Sequence, residues 1–159
     1  MERRLLLDTN VWLDYFIDRG QLHDATALFI GAAFSKDGIQ LCTAILSTRD
    51  VYYHVQRELK SLMLEEEGKL TESNAAVANE IAWSCLATLR NLSFIVPADE
   101  TDMIEASIVR ETHFDYEDNL IVSAAKRVKA ECIVTSDEQM LKRQPYNCIT
   151  IEEAMQLIA

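Results

Sequence analysis

Short apolar runs that end abruptly in small polar residues, each followed by a longer stretch of helical periodicity, recur along this chain and restrict it to an alternating α/β architecture. Arg4 to Leu7 is one such run, closed by Asp8-Thr9-Asn10 and followed by a helical pattern carrying Val11, Trp12, Tyr15 and Phe16. A helical stretch from about His23 to Phe34 stops at Lys36-Asp37-Gly38; Ile39 to Cys42 then has strand character, and Thr43 is placed to cap the next helix. The pattern is helical on both sides of Gly68, from Ala44 to Glu67 and from Leu70 to Leu92 with a Thr71 or Ser73 cap, which predicts an antiparallel hairpin over about 44–92. Beyond it, Ser93 to Val96 reads as a strand before Pro97, and Glu100 to Glu111 as a helix with Met103, Ile104, Ser107 and Ile108 on its apolar side. A helix over about Glu117 to Lys129 leads into a strand at Glu131 to Val134, ended by Thr135-Ser136-Asp137. A short helix, a turn at Pro145, a strand near Cys148 and Ile149 and a final helix complete the chain.

Glycine and proline are scarce, with four and two copies, and nothing in the 159 residues reads as a linker, so one domain over 1–159 is expected. Strands alternating with helices imply a three-layer α/β/α sandwich whose short central sheet is buried on both faces and mainly parallel. Cys42, Cys85, Cys132 and Cys148 sit in apolar sequence without CxxC spacing, which reads as reduced core and excludes a zinc or redox pair. His23, His54 and His113 are scattered, and neither HExxH nor GxSxG is present, so metalloprotease and serine-hydrolase chemistry find no support. No apolar run approaches the roughly 18 residues of a membrane span, and Arg3 and Arg4 precede only three leucines, so a cytoplasmic protein is expected. The net charge of -11 argues against a broad basic surface for nucleic acid. It leaves room for a site that holds metal through carboxylates, where the cations supply the contact to phosphate. Glu65, Glu66 and Glu67 read as a solvated helix end.

In an open parallel sheet, ligands bind at the carboxyl edge of the strands. Asp8 and Asp137 each follow an apolar strand directly, and Asp118 lies in the first turn of a helix expected to begin near the same edge. Asp50, two helical turns after Thr43, is the fourth candidate. Carboxylates crowded together repel one another unless a cation neutralises them, and oxygen ligands favour magnesium or manganese. Each residue has a plainer reading: Asp8 and Asp137 as helix caps, Asp118 as a favourable charge at a helix N-terminus, Asp50 as an exposed partner of a neighbouring arginine or lysine. The case for a site rests on the shared edge.

These residues carry a resemblance. Leu6-Leu7-Asp8-Thr9-Asn10-Val11-Trp12-Leu13-Asp14, Phe114-Asp115-Tyr116-Glu117-Asp118-Asn119-Leu120 and Ile133-Val134-Thr135-Ser136-Asp137 resemble the acidic motifs of PIN-domain ribonucleases, in particular the VapC-type toxins of bacterial toxin–antitoxin pairs. Thr48-Arg49-Asp50-Val51-Tyr52-Tyr53 is similar to the second acidic motif in a subgroup that uses aspartate there, with Glu58 as the fallback. The resemblance spans almost the whole chain and implies that Asp8, Asp50, Asp118 and Asp137 are catalytic metal ligands for Mg2+ or Mn2+. It further implies that Asn10 and Thr135 make secondary contacts to water or metal, and that Asp115 and Glu117 flank the site or start the helix. It implies an RNA substrate cut by a metal-activated water, a homodimer, and an antitoxin partner laid over the acidic groove. Arg49, Lys126, Arg127, Lys142 and Arg143 are candidate phosphate contacts, each with a plainer reading as a solvated charge.

Other readings fit less well. A haloacid-dehalogenase-like phosphatase needs a second aspartate where Asn10 stands, and a phosphoacceptor receiver needs a mid-chain strand-ending aspartate and a later strand-ending lysine that the chain lacks. The alternative from a different class is a catalytically inactive PIN-like binding module in which the acids serve only as caps. Trp12, Tyr15, Phe16, Trp83 and Met103 fit a protein interface or, more simply, the core.

Overall fold

A computed structural model describes residues 2–18, 20, 22–143 and 146–159. The sequence runs of apolar residues become five parallel strands, β1 (Arg3–Leu7), β2 (Ile39–Ala44), β3 (Phe94–Val96), β4 (Cys132–Val134) and β5 (Cys148–Ile149), in the order β3-β2-β1-β4-β5. The sheet is wholly parallel, and its central strand β1 is also the first in sequence. Leu5, Leu6 and Leu7 are fully buried, because helices cover both faces and alternate side chains go to opposite layers.

One layer holds α1 (Thr9–Phe16), α2 (Leu22–Ser35), α3 (Ile45–Glu67), α4 (Glu72–Leu92) and α8 (Ile151–Ile158). Trp12, Phe29, Ile30, Val51, Leu89 and Ile151 from these helices pack with Leu5 and Leu7. The other layer holds α6 (Tyr116–Val128), whose Ile121, Val122 and Ala125 meet Leu6, Cys42, Val96 and Ile133, together with α7 (Glu138–Arg143) and its Met140. Outside α6 lies α5 (Glu100–Ile108), followed by a 3₁₀ turn at Val109–Glu111. The three-layer α/β/α sandwich is therefore present.

The helical hairpin forms as the breaks predict. Gly68 ends α3 in the left-handed region at φ 71, where a side chain is disfavoured, and the Thr71 hydroxyl caps α4 by accepting from the Asn74 N–H. Two expectations are corrected. Thr43 does not cap α3; it is the fifth residue of β2, fully buried, and its hydroxyl accepts from the Trp12 indole at 2.9 Å and bonds Ser93 Oγ at 2.8 Å. Ala44 stands at the helix start with no side-chain cap. Trp83 and Met103, read most simply as core, are 60% and 51% exposed, whereas Trp12 is wholly buried. The turn expected at Pro145 lies outside the described residues. All four cysteines are free thiols, three of them buried. Among the described residues no helix is long and apolar enough to cross a membrane.

Candidate active site

The parallel pairing of β1 with β4 sets Leu7 opposite Val134, so the residues that follow, Asp8 and Thr135, leave the sheet side by side. The Asp8 N–H donates to the Val134 carbonyl at 3.0 Å and extends the ladder by one bond. Thr135, fully buried, then joins two acids: its hydroxyl donates to Asp8 Oδ2 at 2.7 Å and accepts from the Asp137 N–H at 3.0 Å. Asp8 Oδ1 accepts from the Thr9 N–H at 2.7 Å, and Asp137 Oδ1 accepts from the N–H groups of Gln139 and Met140. Both aspartates are thus the caps that strand-ending acids commonly become, and both stand on the carboxyl edge of the sheet.

Helix α6 delivers Asp118 to the same place. Asp115 caps it, with Oδ1 accepting from the Glu117 and Asp118 N–H groups, which sets Asp118 in the first turn. These residues line one cleft of about 1230 Å³, whose walls include Asp8, Asn10, Asp50, Asp115, Asp118 and Asp137. Every site residue expected from the sequence lies on that wall except Thr135, whose hydroxyl is committed beneath it to the two aspartates. Asp50 faces the cleft from α3, held by the exposed Arg49 guanidinium at 2.9 Å, while the fallback Glu58 is exposed and does not line the cleft.

Burial is the largest electrostatic influence. It pushes the Asp8 carboxyl up to about 6, against the hydrogen bonds from Thr135 and Thr9, and the charges of Asp118 and Asp137 push the same way. Asp118 is likewise raised by burial, a shift opposed by its bond from His113 and reinforced by Asp115 and Asp137. The charges of Asp118 and Asp137 thus act on Asp8, those of Asp115 and Asp137 act on Asp118, and Asp50 is not among the charges that move either.

A PIN domain family model matches residues 4–139. The chain belongs to the PIN-domain family. VapBC2 from Rickettsia felis, bound to a DNA fragment from their promoter, has a similar fold with a TM-score of 0.64, 12% identity, and 92% of this chain and 98% of that one covered. PAE2754 from Pyrobaculum aerophilum is similar with a TM-score of 0.61, 14% identity, and 99% and 98% covered. Mycobacterium tuberculosis VapC20, a sarcin–ricin loop cleaving toxin, is similar with a TM-score of 0.52, 14% identity, and 88% and 95% covered. At these identities the likeness is one of fold. No curated protein matches the chain.

The edge of this PIN domain fits a hard cation by its donors. They are all carboxylate oxygens, Asp118 Oδ1 and Asp137 Oδ2 accept no hydrogen bond from the described residues, and the coupled negative charge is what a cation would offset. Among the described residues no three Asp, Glu, His or Cys side chains form a group that could hold a metal ion by themselves. The fit is to an open, largely hydrated ion such as Mg2+, which needs only one or two carboxylates, and not to a closed protein cage.

The candidate phosphate contacts are mostly committed elsewhere. Arg127 bonds Asp99 and Asp102, Lys126 pairs with Glu105 and Lys142 with Glu138, while the Arg143 side chain lies outside the described residues. Of the four whose side chains are described, Arg49 alone lines the cleft. Three further residues support the site without having been singled out in the sequence for a role there. His113, buried in the loop before α6, bonds Asp118 Oδ2 at 2.7 Å. Asp14, buried in α1, accepts from Ser136 Oγ at 3.1 Å and braces the loop that bears Asp137. Asp102 caps α5 and binds Arg127 and Ser123 of α6.

Proposed function

We propose that this PIN domain, working as one unit over 1–159 in the cytoplasm, is a divalent-metal-dependent endoribonuclease and the toxin of a toxin–antitoxin pair. The observation that supports this reading most directly is the Thr135 bridge: one buried hydroxyl holds Asp8 and Asp137 on the sheet edge that Asp118 shares, and burial makes the charges of Asp8 and Asp118 costly without a cation. Asp8, Asp118 and Asp137 would together hold a largely hydrated Mg2+ or Mn2+, one or two of them directly and the rest through its waters, and Asp50 adds an acceptor for water from the α3 wall. The ion's contribution when bound is to acidify a water and neutralise charge on the scissile phosphate. The chain's own residues orient that ion and the water, and exclude bulk solvent from the Asp8 side of the cleft. Water oxygen attacks phosphorus, the bond to the 3′ oxygen breaks, and a 5′-phosphate and a 3′-hydroxyl result. Asn10, on the first turn of α1, contacts water at the rim. An antitoxin covering the acidic cleft belongs to the same proposal, supported by the fold shared with VapBC2, as does a homodimer, which only the family resemblance implies.

The capping bonds of Asp8 and Asp137 would satisfy these residues in a module that only binds, so the two readings separate on activity. A panel of structured and single-stranded RNAs is incubated with Mn2+, Mg2+ or chelator, comparing wild type with Asp8→Asn and Asp118→Asn. Metal-dependent cleavage is expected, reduced on the order of 100-fold or more by each substitution, as for loss of a preorganised charge at the reacting centre. Cleavage unaffected by chelator and by both substitutions would refute the site; no cleavage and no Mn2+ binding would establish the binding module.

A further inference from the structure

His113 stands in the short loop between the 3₁₀ turn and α6, where its neighbours Thr112, Phe114 and Asp115 are exposed and it alone is buried, at 1% exposure. Its main chain is fixed from both sides: the N–H donates to the Val109 carbonyl at 2.9 Å, and the carbonyl accepts from the buried Asn119 Nδ2 at 2.8 Å. The ring is thereby aimed at Asp118, with Nε2 to Oδ2 at 2.7 Å. A carboxylate can only accept, so Nε2 carries the donated proton. The other ring nitrogen, Nδ1, is buried and has no hydrogen-bond partner among the described residues. An apolar side chain would fill the same space without burying an unbonded nitrogen, and the bond to Asp118 is what offsets that cost.

We infer that His113 is a positioning residue that locks the Asp118 carboxylate through Oδ2 and reserves Oδ1 for the cation. The inference rests on the metal-nuclease reading. A carboxylate in the first turn of a helix otherwise has more than one rotamer open to it, and fixing it in the free protein removes the ordering cost that would fall on metal binding.

The test uses the metal-free full chain and Mn2+ alone, with binding followed by the loss of the free-ion electron paramagnetic resonance signal. His113→Gln places an amide N–H near the position of ring Nε2, whereas His113→Asn reaches only as far as Nδ1. The expected result is that His113→Gln binds Mn2+ nearly as wild type does, while His113→Asn and His113→Leu bind about tenfold more weakly or worse, the usual effect of losing a residue that orients a ligand. The effect of His113→Asn should vanish in an Asp118→Asn background. Equal binding by all three variants, or equal weakening in Gln and Asn, overturns the inference while leaving the nuclease reading intact. Wild type that binds no Mn2+ overturns that reading, and the inference with it. Ring 15N resonances of the wild type give a check that needs no histidine variant: a proton on Nε2 that shifts in Asp118→Asn is expected, and a proton on Nδ1 with Nε2 bare overturns the inference.

Discussion

At the scale of single residues, Asp8 shows what it costs to place a carboxylate under a sheet edge. Its carboxyl is raised from an ordinary value of 3.8 to about 6, first by burial and then by the charges of Asp118 and Asp137. A raised carboxyl binds its proton more readily in the folded than in the unfolded chain, so its contribution to stability is present below about 4 and is lost as pH rises through about 6. The shift corresponds to a penalty on the order of 3 kcal/mol at neutral pH, since each pKa unit is worth about 1.4 kcal/mol. Asp8→Asn retains an oxygen for the Thr9 N–H, removes the charge, and turns the Thr135 hydroxyl from donor to acceptor of the new amide N–H. In chelator at pH 7.5 it is expected to be more stable than wild type, with the difference closing as pH falls to about 4. Urea unfolding at pH 4, 5.5 and 7.5 measures this. An Asp8→Asn variant no more stable than wild type at pH 7.5 would mean that the charge is already compensated. Added Mn2+ should reverse the order, because only the wild type gains binding free energy.

At the scale of elements, what positions Asp118 is the attachment of α6 to its neighbours. Asp102, buried at the start of α5, accepts from Ser123 Oγ at 2.8 Å and from Arg127 at 2.6 Å, while Arg127 also reaches Asp99 at 2.9 Å. Burial alone would raise the Asp102 carboxyl, yet it is held below its ordinary value by the Asp99 N–H, Arg127 and Ser123. Removing the guanidinium leaves that buried carboxylate short of a partner, so Arg127→Met is expected to lose about 1–3 kcal/mol at pH 7 by urea unfolding. The loss should shrink in an Asp102→Asn background, and an equal loss there would locate it in packing instead. This clamp also shows where reading the sequence stops. Strand ends were legible because buried apolar runs meet polar residues abruptly, which set Asp8 and Asp137 at one edge, and the expected helix start at Glu117 brought Asp118 to it. Bonds between elements remote in sequence leave no periodic trace: Trp12 to Thr43, Ser136 to Asp14 and Arg127 to Asp102 each depend on the packed fold. Helical periodicity likewise marks Trp83 and Met103 as apolar positions on one face, and cannot say that the face lacks a covering layer.

At the scale of the whole molecule, a net charge of -11 and an acidic cleft set the terms on which a polyanion can approach. Asp8, Asp50, Asp99, Asp102, Asp115, Glu117, Asp118 and Asp137 all line the cleft, and among the described residues Arg49 is the only Lys or Arg that lines it, with Arg127 committed behind it to Asp99 and Asp102. Arg49 is itself shared between Asp50 and Glu117. Few protein cations are thus available to displace counterions, so on the proposed nuclease reading the attraction for RNA would come from bound divalent metal and from base contacts. Binding should therefore depend strongly on divalent metal and weakly on monovalent salt. For a single-stranded RNA made non-cleavable by 3′-methylene phosphonate linkages, in saturating Mn2+, the slope of log affinity against log KCl is expected near -1, the value for about one or two neutralised phosphates. In chelator the same RNA should not bind at moderate salt. Fluorescence anisotropy titrations over a range of KCl concentrations measure both. A slope of about -4 or steeper would require six or so basic contacts, and would place the RNA on a surface other than this cleft.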